Sequence, residues 1–376
     1  MNPFSIQQMQ AHAPALQALL QELVEIESPT TEKAEVDRLG AHMARQAAEL
    51  GAEVQVFPQS GAGDHLRCRW GSGAGGILLM FHLDTVFDLG TLAQRPFRAA
   101  DGRLYGPGVL DMKAGSAMFL TVLRLFRQAG VWPQRPLTAL FTTDEETGSL
   151  TSRALIEAEA RQAGVVFCLE PAMASGAVKT ARKGTGDIEI KVRGAAAHAG
   201  VDHAKGRNAI EELAHHILAA QKLTNYETGT TVNVGVVGGG TRPNVVPDEA
   251  HALIDLRVAQ MDEYQRLENW TKSLAPVIAG TALQAEITLN RPPMPRDATM
   301  IRTYEKVREI GRTLGLELGE GSTGGGSDAN FVAPLGVPVM DGLGAIGDGA
   351  HSEREYVLAA SLPERAALLA ALLTQW

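Results

Sequence analysis

Cysteine is almost missing from this chain: Cys68 and Cys168 are the only two in 376 residues, and they stand in unrelated contexts. That excludes a disulfide framework and a cysteine-built zinc site, leaving histidine and carboxylates to hold any metal. No apolar run approaches the roughly 18 residues that a membrane span requires. Positive charge is also short, with 34 Lys plus Arg against 43 Asp plus Glu and a net charge of -9. Such a balance argues against nucleic acid or an anionic membrane as the main partner. The opening Met-Asn-Pro-Phe-Ser-Ile-Gln-Gln-Met-Gln has neither the basic nor the apolar part of a secretory signal, so a cytoplasmic location is expected.

What is present fits a globular protein, with 45% apolar and 20% charged residues. A chain of 376 residues predicts about two domains. The most informative stretch runs from Leu137 to Ser149, where an apolar, β-leaning run ends in Asp144, Glu145 and Glu146. Adjacent carboxylates repel and raise one another's pKa. A divalent cation offsets that repulsion, because hard ions take carboxylate oxygens. A solvated acidic turn is the competing reading of this stretch taken alone.

The same arrangement recurs along the chain. Apolar positions at helical spacing predict helices over 5–25 and 32–50, with Gly51 as the C-terminal glycine. Strands follow at 53–57 and 65–70. Gly71 to Gly76 matches Gly-x-Gly-x-x-Gly, but the apolar strand 77–81 follows instead of a helix, so a hairpin loop is expected rather than a phosphate cradle. That strand ends in Phe81-His-Leu-Asp84, and on an extended chain His82 and Asp84 face one side. Asp84 is placed to fix the tautomer of a metal-binding His82. Asp111 lies in a glycine-rich turn before an apolar helix, where helix capping is the default explanation. A strand over 165–169 ends at Glu170, and the exit loop of another, 337–340, presents His351. Strand and turn exits therefore present His82, Asp111, Glu145, Glu146, Glu170 and His351 to one edge, where open α/β sheets bind ligands.

Between residues 183 and 291 the order is β-α-β-β-α-β, the ferredoxin-like split unit. The expectation is an inserted domain at 183–291 dividing a mainly parallel α/β domain into 1–182 and 292–376.

Eight segments carry a more specific likeness: Phe81-His-Leu-Asp84, Gly108-Val-Leu-Asp-Met-Lys113, Thr143-Asp-Glu-Glu-Thr-Gly148, Leu169-Glu-Pro171, Ala197-His-Ala-Gly200, Pro243-Asn-Val-Val-Pro247, Asp255-Leu-Arg257 and Ala350-His-Ser352. In this order they resemble the dinuclear-zinc aminoacylase/carboxypeptidase family, most closely its bacterial glutamate carboxypeptidases, over almost the whole chain. The resemblance implies an α/β zinc-peptidase-like catalytic domain with a twisted sheet, and an inserted ferredoxin-like lid and dimerisation domain. It implies two Zn2+ per subunit, with Co2+ or Mn2+ as substitutes: one held by His82, Asp111 and Glu170, the other by Glu146, His351 and the shared Asp111. Bridging by a carboxylate suits ions about 3.5–4 Å apart.

Glu145 matches the family's general base, which takes a proton from the attacking water and passes it to the leaving amine. His198 matches a histidine that polarises the carbonyl in the partner subunit's active site; the preceding Ala197 departs from the Ser common there. Asn244 and Arg257 match positions that grip the substrate carboxylate. Arg182, Lys183 and Arg291, at the expected domain crossings, read either as surface charges of the hinge or as a second anionic subsite. The loop Gly324 to Ala329 reads as structural or backbone-binding. His203, His215 and His216 read as surface or packing residues, and Asp348 and Glu353 as loop polar groups.

The implied protein is a homodimeric, zinc-dependent hydrolase that releases a C-terminal amino acid, glutamate or similar, from peptides or N-acyl amino acids. The alternatives are an aminoacylase, dipeptidase or desuccinylase on the same scaffold. A catalytically silent binding homologue is a further alternative, against which the retained Glu145 speaks.

Overall fold

Strands and helices alternate through the first half of the chain in the computed structural model, which describes residues 4–376. Two helices, α1 (Ile6–Ala11) and α2 (Ala13–Val24), replace the single one expected. Pro14 is the reason: it lacks an amide and is tolerated only in a helix's first turn, so a new helix starts there. Helix α3 (Lys33–Glu49) is followed by Gly51 at φ 88°, the left-handed residue that ends it. Then come β1 (Glu53–Phe57), β2 (His65–Trp70), β3 (Gly76–His82), α4 (Ala114–Ala129), β4 (Leu137–Thr142), α5 (Arg153–Gln162) and β5 (Ala163–Cys168).

After these the chain enters β6 (Gly184–Arg193), α6 (Ala209–Gln221), β7 (Thr231–Gly239), β8 (Glu249–Val258), α7 (Met261–Ser273) and β9 (Ala282–Arg291). It closes with α8 (Ala298–Arg312), the short β10 (Val339–Met340) and α9 (Ser361–Gln375). Two compact units result. One comprises residues up to Ala181 with Arg296–Ser322 and Ser327–Trp376; the other comprises Arg182–Pro295 with Thr323–Gly326.

In the first unit the sheet order is β1-β2-β4-β3-β5-β10. The pairs β4-β3, β3-β5 and β5-β10 are parallel, while β1-β2 and β2-β4 are antiparallel. Because β4 lies between β2 and β3, residues 71–76 do not close a hairpin, contrary to the sequence expectation. A parallel neighbour can only be reached through a crossover, and the Gly-rich link lets β3 leave space for β4. Strand β3 is a near-continuous apolar run because both of its faces are covered. Phe81 stacks on Phe141 with ring centroids 4.8 Å apart and meets Phe119 of α4 at 5.1 Å.

The second unit is an antiparallel sheet, β7-β8-β6-β9, with α6 and α7 supplying Leu213 and Leu267 to its core. Ala250, Ala252, Ile254, Leu256 and Val258 alternate inward along β8. Helix α7 ends at Ser273. Pro276 cannot continue it, and the amides of Val277 and Ile278 donate instead to Glu212 of α6 at 2.8 and 2.6 Å. His216 caps this buried arrangement, its Nε2 2.7 Å from Glu212, so it is a packing residue.

Candidate functional site

Strands β3, β4 and β5 run parallel, so their carboxyl ends open on one edge, with His82 opposite Thr142 and Met80 opposite Cys168. His82 closes β3, Asp144 to Glu146 follow β4 after Thr143, and Glu170 lies two residues past β5. From the far end of the chain, His351 arrives on a turn at φ 61°, an uncommon backbone region for a residue with a side chain.

Asp111 stands between the two histidines. Its Oδ1 is 3.0 Å from His82 Nε2, and its Oδ2 is 3.3 Å from His351 Nε2. Glu170 Oε1 lies 3.4 Å from the same His82 nitrogen, and Glu146 Oε2 3.0 Å from that of His351. His82, Glu145 and Glu170 each offer a ligand atom, all within 4.8 Å of one another, and so do His82, Asp111 and Glu146. The capping reading of Asp111 fails, because no side chain caps α4. Nor is the acidic turn a solvated one: Asp144 is buried and the Glu146 side chain is 5% exposed.

The electrostatics follow from this crowding. Burial opposes charging His82, yet Asp111, Asp84 and Glu170 carry its pKa well above the usual histidine value. Asp111 and Glu146 push His351 up to about 11 against partial burial. Burial, aided by the charge of Asp111, raises Glu146 although His351 pulls the other way. For Asp111 burial acts upward, but the two histidines hold it well below the carboxylate range. The pocket thus has more negative charge than its histidines balance, and it draws cations.

Several side chains hold these groups in place. Fully buried Asp84 accepts from the amides of Glu145 at 3.3 Å and Glu146 at 3.1 Å, and from Thr30 Oγ1 at 2.9 Å. His82 Nδ1 is 2.9 Å from the main-chain oxygen of Asp84 and 3.6 Å from its carboxylate, so the carbonyl is the nearer partner fixing the ring. Asp328, in the Gly324 to Ala329 loop, accepts from Thr142 Oγ1 at 3.0 Å and from Ser149 Oγ, bracing both ends of the acidic turn.

Glu355 was not singled out by sequence. It accepts from the amides of Gly108, Leu110 and Asp111 at 2.8, 2.9 and 3.0 Å, and burial pushes it up to about 7. Its only sequence signal was position, four residues after His351. Asp348 accepts from the next amide at 2.7 Å and Glu353 is exposed, as expected of loop polar groups.

His198, Asn244, Arg257 and Arg291 belong to the second unit. His198 is exposed on a two-residue strand paired with Val245–Val246, and its Nδ1 accepts from the Gly200 amide at 3.1 Å. Asn244, also exposed, sits beside it, its carbonyl accepting from the Ala199 amide at 3.0 Å. Asp255 occupies Nε and Nη2 of Arg257 at 3.1 and 2.8 Å. Arg182 and Arg291 are 5% and 6% exposed, which removes the surface-charge reading for both. Arg182 donates to the carbonyls of Gly325 and Gly326 at 3.1 and 2.8 Å, and Arg291 to Asn290 Oδ1 at 3.0 Å.

Whether this donor set suits divalent cations is decided by two observations. Two ligands of one tetrahedral ion at 2.0–2.1 Å lie about 3.3 Å apart, and the His-to-carboxylate separations here span 3.0–3.4 Å. Glu146 Oε1 is buried without a hydrogen-bond partner, the vacant lone pairs that an ion would use. The residues fit.

Comparison with known proteins bears on the family and the fold. A model of peptidase family M20/M25/M40 matches residues 78–375. Carboxypeptidase G2 of Pseudomonas sp. (strain RS-16) is 31% identical over 371 residues, covering 96% of this chain and 89% of that protein. The aminopeptidase PepT structure from Bacillus cereus ATCC 10987 superposes with a TM-score of 0.75 at 25% identity, over 96% of this chain and 98% of that one. A Bacillus subtilis protein described as a dinuclear metal binding peptidase of the M20 family shares the fold, with a TM-score of 0.69 at 17% identity over 97% and 98% of the two chains. The match over most of the length, on a mixed α/β fold with a mainly parallel sheet, places this chain in peptidase family M20/M25/M40, as a metallopeptidase.

Proposed function

We propose that the protein is a two-zinc amide hydrolase that releases a C-terminal amino acid, glutamate or one like it, from peptides or N-acyl amino acids. The observation that carries this reading is Asp111, whose two oxygens face His82 and His351 beside the Glu145-Glu146 pair. His82, Asp111 and Glu170 would hold one ion; Glu146, His351 and Asp111 the other. Bound cations would polarise the scissile carbonyl and acidify the attacking water. Glu145 takes the proton from that water and delivers it to the leaving amine, its backbone fixed by Asp84. His198 donates to the developing oxyanion in the partner subunit's active site, a contribution of about 3–4 kcal/mol. Asn244 and Arg257 grip the terminal carboxylate, Arg257 through the Nη1 left outside its Asp255 fork, and Arg291 belongs to a second anionic subsite for the substrate's side-chain carboxylate. The carboxypeptidase reading is supported by the 31% identity to carboxypeptidase G2; the glutamate preference is the expectation from the eight sequence segments, which the substrate panel below tests.

A homodimer joined through the second unit is part of the same reading. Strand β7 is a sheet edge with Val236 and Val237 about half exposed, and such an edge invites pairing. Among the described residues no helix is long and apolar enough to cross a membrane; a cytoplasmic location is part of the proposal.

The test is hydrolysis of N-acyl-Glu, -Asp and -Leu, dipeptides and a tripeptide by wild type and Glu145→Ala, with metal content measured in both. N-acyl-Glu is expected to be cut best. Glu145→Ala is expected to lose about 10²–10⁴ in kcat while keeping its metal. A metal-loaded wild type that cuts none of the panel would leave the silent-homologue alternative standing.

A further inference from the structure

The loop carrying Asp111 satisfies its backbone in an unusual way. The amides of Val109 and Lys113 return to the carbonyls of Gly106 and Gly108, while those of Gly108, Leu110 and Asp111 all end on the Glu355 carboxylate. Gly108 lies at φ 71°, where a Cβ would come within 2.6 Å of Thr85 Cγ2, so the loop has little freedom to find other partners. Glu355 is fully buried, 244 residues from Asp111 in sequence, and leaves the same turn as His351. An ionised carboxylate suits this position because it only accepts; a glutamine would set its own N–H₂ against at least one of the three amides.

We infer that Glu355 is a positioning residue that registers the Asp111 carboxylate to the His351 turn, so that the ion of Asp111, Glu146 and His351 depends on it more than the ion of His82, Asp111 and Glu170. The asymmetry follows from counting ligands. Releasing Glu355 loosens two of three ligands at the former position and one of three at the latter. This rests on the two-ion reading above.

The experiment titrates metal-free wild type, Glu355→Gln and the exposed control Glu353→Gln with zinc against a chromophoric chelator. Wild type and Glu353→Gln are expected to take two ions per chain. Glu355→Gln is expected to bind the first within about threefold of wild type and the second about 10–100-fold more weakly. Its activity should then recover in excess zinc, which a general structural lesion would not do. Equal weakening of both ions, or no weakening of either, overturns the inference and leaves the proposed function intact. A wild type that takes fewer than two ions overturns the two-ion reading instead. Should Glu355→Gln fail to fold, Glu355→Asp, which keeps the charge but draws it back by one methylene, is titrated the same way. Its own failure to fold, or two unchanged affinities, also overturns the inference.

Discussion

Replacing Asp84 with asparagine separates the positioning of Glu145 from its chemistry, because the side chain is fully buried and holds the backbone amide of the acid. Oδ2 accepts from the Glu146 amide and Thr30 Oγ1, and Oδ1 from the Glu145 amide. Asparagine offers one oxygen, so at least one backbone N–H would confront an N–H₂ group. A buried donor left unsatisfied costs about 1–3 kcal/mol, and the surviving bonds lose about 1 kcal/mol each when the acceptor is no longer charged. The turn is therefore expected to relax, destabilising the protein by about 3–5 kcal/mol. A shift of about 1 Å in a catalytic group lowers turnover about 100-fold. Steady-state kinetics of metal-loaded Asp84→Asn on an N-acyl glutamate should show kcat down by that factor with KM within about threefold. Turnover within threefold of wild type, with full metal and unchanged urea midpoint, would refute the idea that Asp84 places Glu145.

Two further outcomes are expected. Phe141→Ala empties a fully buried ring site against Phe81 and should cost about 3–5 kcal/mol in urea unfolding; a loss under about 1 kcal/mol would mean the stack is not a core element. In the second unit Arg266, with the Thr230 and Thr228 hydroxyls and against partial burial, holds Glu263 at about 2 from an ordinary 4.5. A carboxyl depressed on folding stabilises above its unfolded value and loses that contribution as pH falls from about 4.5 towards 2. Screening keeps the effect on the order of 1 kcal/mol. Melting of the metal-free protein against pH should fall more steeply for wild type than for Glu263→Gln in that window, and superimposable curves would contradict it.

The sequence by itself determined the elements and the inventory of acids. Period-two alternation along 249–258 and the apolar run of 77–81 are visible without coordinates, because side-chain burial writes them directly into residue type. His82, Asp111, Glu145, Glu146, Glu170 and His351 were legible as strand and turn exits for the same reason. Only the tertiary structure decided which strands neighbour one another: β4 between β2 and β3 depends on long-range pairing, and no local signal distinguishes it from a hairpin. It also decided which acids serve others. Glu353 and Glu355 are two residues apart and chemically alike, yet one is exposed and the other holds three amides from a loop some 240 positions away. The amides that need an acceptor are a property of the folded backbone, and nothing in the residues around Glu355 announces them.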